Sequence, residues 1–193
     1  MRKGLWFVLI LLALCSMCWG ASAEDAATPS NLAASTTETT PAEPPASKHT
    51  KRKPTLYEIP AEALEADEDF AALMAEAEKY IGYPYVWGGS SPETSFDCSG
   101  FVCWVFRTSD VYDTGRRGAT GLFNLCSEVS AEDARPGDLV FFQGTMGDVK
   151  GITHVGIYVG NHWIIHCGDP IGFADLSASK WQRRLYAYGR LPY

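Results

Sequence analysis

An α+β domain, with helices first and an antiparallel sheet after them, is predicted by three features of this 193-residue sequence. Apolar residues recur at three- and four-residue steps between Ala61 and Gly82. A second, mostly apolar run begins at Cys98, directly behind a loop full of turn formers. From Gly137 onward the period changes to two in four short segments, the mark of strands. A doubly wound sheet would alternate the two patterns, whereas here they are grouped.

The chain opens on an export signal. Arg2 and Lys3 precede the apolar "LWFVLILLALC", and "ASA" at Ala21–Ala23 is a small-x-small cleavage site, so residues 1–23 are expected to be removed. An uncleaved anchor is the weaker reading, because the apolar run is short for a membrane span. Residues 24–55 are rich in Ala, Ser, Thr, Pro and Glu and nearly free of large apolar side chains. Such a segment buries too little surface to offset chain entropy and is expected to be a flexible tether. Nearly all the Trp, Tyr and Phe lie beyond it, which defines one domain over residues 56–193.

Within that domain, Phe70, Leu73, Met74, Ala77, Tyr80 and Ile81 make one helix face, stopped by Gly82 and Pro84. The second helix starts near Cys98 and buries Phe101, Val102, Val105 and Phe106. A short helix is expected near "ATGLFNLC". The strands are "GDLVFFQG" (Gly137–Gly144), "GITHVGIYVG" (Gly151–Gly160), "HWIIHCG" (His162–Gly168) and "LYAYGRL" (Leu185–Leu191), with a tight connection at Gly160–Asn161.

Charge excludes one class of function. Loss of Met1–Ala23 takes away Arg2 and Lys3 and no acidic residue, moving the formal charge from −7 to −9. Nucleic-acid binding needs Lys and Arg against phosphate and is not expected. The basic run "KHTKRK", Lys48–Lys53, reads as a solvated charge run, with contact to a wall polymer or membrane surface as the alternative. No second hydrophobic segment exists, so stable membrane insertion is not expected after cleavage.

The chemistry centres on Cys98. At a helix start it gains from unpaired backbone N–H groups, which favour thiolate. A nucleophilic cysteine also needs a base and a group that orients the base. His154, within one strand, and His166, at the end of another, are the candidates; His162 lies at a turn and His49 in the tether. Strand geometry supplies a test. A regular two-residue hairpin at Gly160–Asn161 would put His154 and His166 on opposite faces, whereas a three-residue loop or one bulge puts them on the same face. Upstream, "GYPYVWGG" holds Tyr85, a candidate donor to an oxyanion, and Trp87, a candidate substrate contact, ahead of Gly88 and Gly89. Ordinary alternatives stand beside each: a buried structural thiol for Cys98, hydrogen-bonded core histidines for His154 and His166, a core aromatic for Tyr85 and a helix cap for Asp97. Cys103, Cys126 and Cys167 read either as core thiols or as disulfide partners. No metal-ligand spacing is present, and no metal or cofactor is expected.

Four motifs in order, "YIGYPYVWGGSSPETSFDCSGFV", "PGDLVFFQG", "THVGIYVGN" and "IIHCG", resemble the NlpC/p60 family of cell-wall peptidases over about Tyr80 to Tyr193. The resemblance implies a papain-like α+β core and a cysteine hydrolase of peptidoglycan stem peptides. Carried onto this chain, it makes Cys98 the nucleophile, His154 the base and His166 the orienting residue. It places Tyr85 beside the nucleophile, with Asp97 and Ser99 where family members often bind the amino end of the stem. The bond it implies joins D-γ-glutamate to a diamino acid. A monomer in the cell envelope or outside it is expected, and the tether suits an envelope or secretion-machine partner. The rival readings are an amidase or transpeptidase on the same fold, or a silent peptidoglycan-binding module.

Overall fold

A computed structural model describes residues 52–193. The expected export signal and all but the last four residues of the tether lie outside the described residues. The first predicted helix is two: α1 (Ala61–Glu65) and α2 (Glu68–Ala77). Asp67 separates them because its carboxylate caps α2, accepting from the Phe70 N–H at 3.0 Å. A single 3₁₀ turn, Glu78–Tyr80, follows, and Gly82 at φ +93° ends the segment as its position predicts. The helix α3 spans Cys98–Thr108, with Phe101, Val102, Val105 and Phe106 fully buried. A polar chain ties α2 to α3: the Trp104 indole donates to the Tyr80 hydroxyl at 2.8 Å, which donates to buried Glu76 at 2.6 Å. The expected short helix is α4 (Ala119–Phe123).

Two short strands, β1 (Ser90–Ser91) and β2 (Ser95–Phe96), fold the preceding loop over the start of α3. There the Asp97 N–H donates to the Gly89 carbonyl at 2.9 Å. A Cβ on Gly100 would collide with that same Gly89 carbonyl, so only glycine lets the loop cross so close to the helix.

The main sheet contains β3 (Ser127–Val129), β4 (Leu139–Gln143), β5 (Ile152–Gly160), β6 (Trp163–His166), β7 (Gly172–Asp175) and β8 (Leu185–Arg190). Their order is β3-β8-β4-β5-β6-β7, antiparallel throughout. The predicted α+β architecture is therefore the observed one, and the four predicted strands are β4, β5, β6 and β8. One face, through Phe141, Val155, Ile157 and Ile165, shares a core with the helices. The other buries Val140, Phe142, Tyr158, Ile164 and Tyr188, backed by Trp181 of the short helix α5 (Ser179–Gln182). Burial on both faces explains why β4 and β5 read as nearly continuous apolar runs. The chain just before the predicted domain start joins the sheet edge: Thr55 accepts from the Phe173 N–H of β7 at 2.9 Å.

The β5–β6 connection decides which histidines meet. Ile157 pairs with Ile165 and Tyr158 with Ile164, and the register then shifts so that Gly160 pairs with Trp163. The turn residues are Asn161 and His162, both at positive φ, with a bulge at Val159. That one extra residue turns His154 and His166 onto the same face. A regular hairpin would have separated them.

Candidate active site

Asp97 organises the site. It is the N-cap of α3, and its Oδ1 accepts from the Gly100 N–H at 2.6 Å and the Ser99 hydroxyl at 2.8 Å. Its Oδ2 accepts from the Gly88 N–H at 3.2 Å and pairs with the Arg116 guanidinium at 2.6 Å. Arg116 also donates to the Ser99 hydroxyl at 3.1 Å. One carboxylate thus locks the glycine loop, the first turn of α3 and Arg116 around Cys98.

Cys98 occupies the first helical position and is a buried free thiol. Burial first, and then the Asp97 charge, push the thiol up to about 11, against the pull of the Val155, Ser99 and Cys98 N–H groups. The contact with the Val155 amide sets the thiol against the residue next to His154, where α3 packs on β5.

His154 and His166 are joined directly, Nε2 to Nδ1 at 2.9 Å. Burial holds His154 down at about 4, partly opposed by the Asp97 charge. His166 is held well below its usual value by burial, by His154 and by the Lys180 ammonium. Trp181 closes the back of the pair: it stacks on His154 with centroids 5.9 Å apart and meets His166 edge-on at 5.1 Å. Gly156 lies across the ladder from His166, and a Cβ there would stand only 3.0 Å from that of His166.

With the thiol raised and the imidazole lowered, both groups are neutral near pH 7. Alkylation of Cys98 by iodoacetamide, followed at its own peptide by mass spectrometry, is expected to accelerate with pH toward about 11. A rate already on a plateau above pH ~5 would mean a resting thiolate–imidazolium pair instead.

Tyr85 is held by its backbone, through a bridge to Phe96 and an N–H bond to the Asp169 carboxylate at 3.3 Å. Its hydroxyl is buried against the Cys98 thiol and has no other hydrogen-bond partner among the described residues. Burial, then the Cys98 and Asp97 charges, raise its pKa, so it stays a proton donor. Trp87 is 77% exposed on the rim of the same cleft, a cavity of about 490 Å³. Asp97, Cys98 and Ser99 also line that cleft, together with Arg116, Arg117 and Thr153. Every predicted site residue but the two histidines therefore opens on one cavity; His154 is buried against Phe142 and Trp181, and His166 lines a second cavity with Lys180 and Trp181. Cys103, Cys126 and Cys167 are free thiols, their Sγ atoms set on the Arg117, Leu122 and Phe96 carbonyls.

Sequence reasoning missed Arg116, Arg117 and Trp181. The two arginines had a usable signal, "GRRG" between helical segments. Trp181 had none, since "SASKWQRR" gives no hint of what packs against it.

The NlpC/P60 family model matches residues 82–190, which carry this whole arrangement from Tyr85 to Trp181. This chain belongs to the NlpC/P60 family. Among its NlpC/P60 relatives, the bifunctional muramidase/DL-endopeptidase CwlT of Bacillus subtilis is 45% identical over 123 residues, covering 63% of this chain and 36% of that protein. The gamma-DL-glutamyl hydrolase of the same organism is 37% identical over 116 residues, covering 58% of this chain and 27% of its own. This chain thus spans little more than a third of the length of these relatives at most. A solved NLP/P60 family structure from Staphylococcus aureus, described as similar to a lipoprotein, superposes with a TM-score of 0.63 at 40% identity. That match covers 75% of this chain and 45% of the solved one.

Proposed function

We propose that this chain is an exported cysteine peptidase that hydrolyses peptidoglycan stem peptides at the bond between D-γ-glutamate and a diamino acid. The observation that carries the reading is the 2.9 Å bond from His154 Nε2 to His166 Nδ1 behind a helix-start cysteine. With the proton of His154 on Nε2 and shared with His166, Nδ1 is left as the base. Cys98 then attacks the stem amide while His154 Nδ1 takes its proton. The oxyanion is stabilised by the Tyr85 hydroxyl and by the Cys98 and Ser99 N–H groups that face the thiol at the start of α3. The tetrahedral intermediate collapses as His154 returns the proton to the leaving amine, and a thioester remains. Water, deprotonated by His154, releases the γ-glutamyl acid and restores the thiol. The names of the relatives, a DL-endopeptidase and a gamma-DL-glutamyl hydrolase, support this choice of bond. Met1–Ala23 supports export to the cell envelope.

Mass spectrometry of defined stem peptides incubated with the reduced protein tests the reaction. The expected product ends at D-γ-glutamate, with a new free amine on the diamino acid. A product cut at another amide would reassign the bond, and intact peptides beside folded protein would overturn the hydrolase reading.

A further inference from the structure

Two cavities meet at the short helix α5, and neither is lined by Cys98. One, of about 370 Å³, is lined by Arg52, Lys53 and Lys180. The other, of about 520 Å³, is lined by Lys150, Arg183 and Arg184. All six residues are exposed, and none has an ion pair among the described residues. They are half of the Lys and Arg residues between positions 52 and 193, in a chain whose formal charge is −7. Among the described acidic residues, Asp169 and Asp175 line the first cavity and none lines the second. Each of these two carboxylates has a backbone partner: Asp169 accepts from the Tyr85 N–H at 3.3 Å and Asp175 from the Ser177 N–H at 2.8 Å.

Three separate parts of the chain bring these cations together. Arg52 and Lys53 end the basic run "KHTKRK", and the residues that follow them are docked on the sheet edge. The Thr55 carbonyl accepts from the Phe173 N–H at 2.9 Å. A Cβ on Gly172 would stand 2.9 Å from the Thr55 carbonyl oxygen and 3.3 Å from Pro54, so glycine lets the segment lie this close. Arg184 donates from Nε to the Gly144 carbonyl at 3.1 Å and from a terminal nitrogen to the Lys180 carbonyl at 3.4 Å. That second bond joins the two cavities, and Lys150 comes from the β4–β5 connection.

Cations gathered without counter-ions repel one another, and a ligand with several anions in a row relieves the repulsion. Because they line cavities rather than a flat face, they suit a thin chain more than a bilayer surface. Single-stranded nucleic acid would also need free aromatic faces. The two tryptophans of the first cavity are already stacked, Trp163 on Tyr57 at 4.6 Å and Trp181 on His154 at 5.9 Å. A phosphodiester chain offers the regular anions that both the arginine fork and the lysine ammonium take. We propose that this cationic face is a docking site for a polyol-phosphate polymer of the cell wall, separate from the Cys98 cleft. The wall setting rests on the peptidoglycan reading above; the binding itself does not.

The test is the fluorescence anisotropy of a labelled glycerol-phosphate oligomer with the full chain, read across a salt series. Lys180→Gln/Arg183→Gln takes one cation from each cavity and is expected to weaken binding roughly 10- to 30-fold. The slope of log Kd against log salt should fall by about 1 to 2 in the same variant. Arg52→Gln/Lys53→Gln should weaken binding to a similar extent. Arg107→Gln/Arg135→Gln removes the same charge from residues that line neither cavity, and should change binding less than about 3-fold at moderate salt. No binding of the oligomer at low salt, or an equal loss in Arg107→Gln/Arg135→Gln, would overturn the site. Tighter binding to phosphatidylglycerol vesicles or to oligo-thymidylate would overturn the wall-polymer assignment in favour of a membrane or a nucleic acid. Equal affinity for poly-γ-glutamate would overturn it as well, by showing that charge alone is read. Every readout is binding without turnover. Oligomer binding by a folded protein that leaves stem peptides intact would sink the hydrolase reading and keep this one; cleavage without oligomer binding would do the reverse.

Discussion

Replacing Cys98 with alanine is expected to remove stem-peptide cleavage, a loss on the order of 10⁴-fold or more, in a domain that remains folded. The size of the loss follows from the cleft. Ser99, the adjacent hydroxyl, is bonded to Asp97 at 2.8 Å and to Arg116 at 3.1 Å, so it is turned away from a nucleophile's role. The remaining groups can bind a substrate and polarise its carbonyl, but none forms the thioester. The fold should survive because alanine is a good helix former at the first turn and the Asp97 cap is untouched. A stability change of about 1 kcal/mol or less is expected in urea unfolding. Cleavage by the folded variant at a rate near wild type would place the nucleophile elsewhere.

Much of the candidate site was legible in the sequence, and the reason is local. Cys98 stands where a polar loop meets a helix, and His154 and His166 sit on strands whose period is plain. The histidine pair was legible only conditionally: composition does not reveal a bulge, and whether the two rings met rested on one residue, Val159, in the β5–β6 connection. Signals failed where structure is set by distant partners. β7 is only Gly172–Asp175, too short to show a period, and it takes its place by pairing with β6 and with Thr55. α5 has four residues and no amphipathic pattern, yet it delivers Trp181 to the back of both imidazoles. α1 and α2 read as one helix because the apolar steps continue across Asp67, whose capping role is visible only from the bond it makes. Asp97 read equally as a cap and as a substrate contact. Its carboxylate accepts from four donors at the same time, among them Arg116, which lies nineteen residues away in sequence.

His166→Ala is expected to lower kcat on the order of 10³-fold with KM little changed, a smaller loss than that from Cys98→Ala. The argument is about a tautomer. If Nε2 of His154 carries the proton and His166 Nδ1 accepts it, the other nitrogen of His154 is a free base; reversed, it is blocked. Without His166, no other side chain among the described residues selects the productive form, and Trp181 and Phe142 remain against the ring. A purely structural role predicts a fall in stability that parallels the fall in rate. A tautomer role predicts rescue by His166→Asn or His166→Gln, each of which returns an acceptor. His166→Asp gives the sharpest reading, because it exchanges a neutral acceptor for a negative one. His154 now takes up a proton only near pH 4, and burial is the first cause of that low value. A carboxylate at position 166 would favour the imidazolium, so the acid limb of kcat/KM must move to higher pH. The linked stability moves the same way. In the native protein the neutral, buried His154 contributes fully above pH 6.5, and stability is lost as the pH falls toward about 4, because the unfolded chain protonates first. With aspartate at 166 that loss should shrink. An acid limb that stays put in His166→Asp, measured with folded protein, would show that position 166 does not act on His154 through the shared proton.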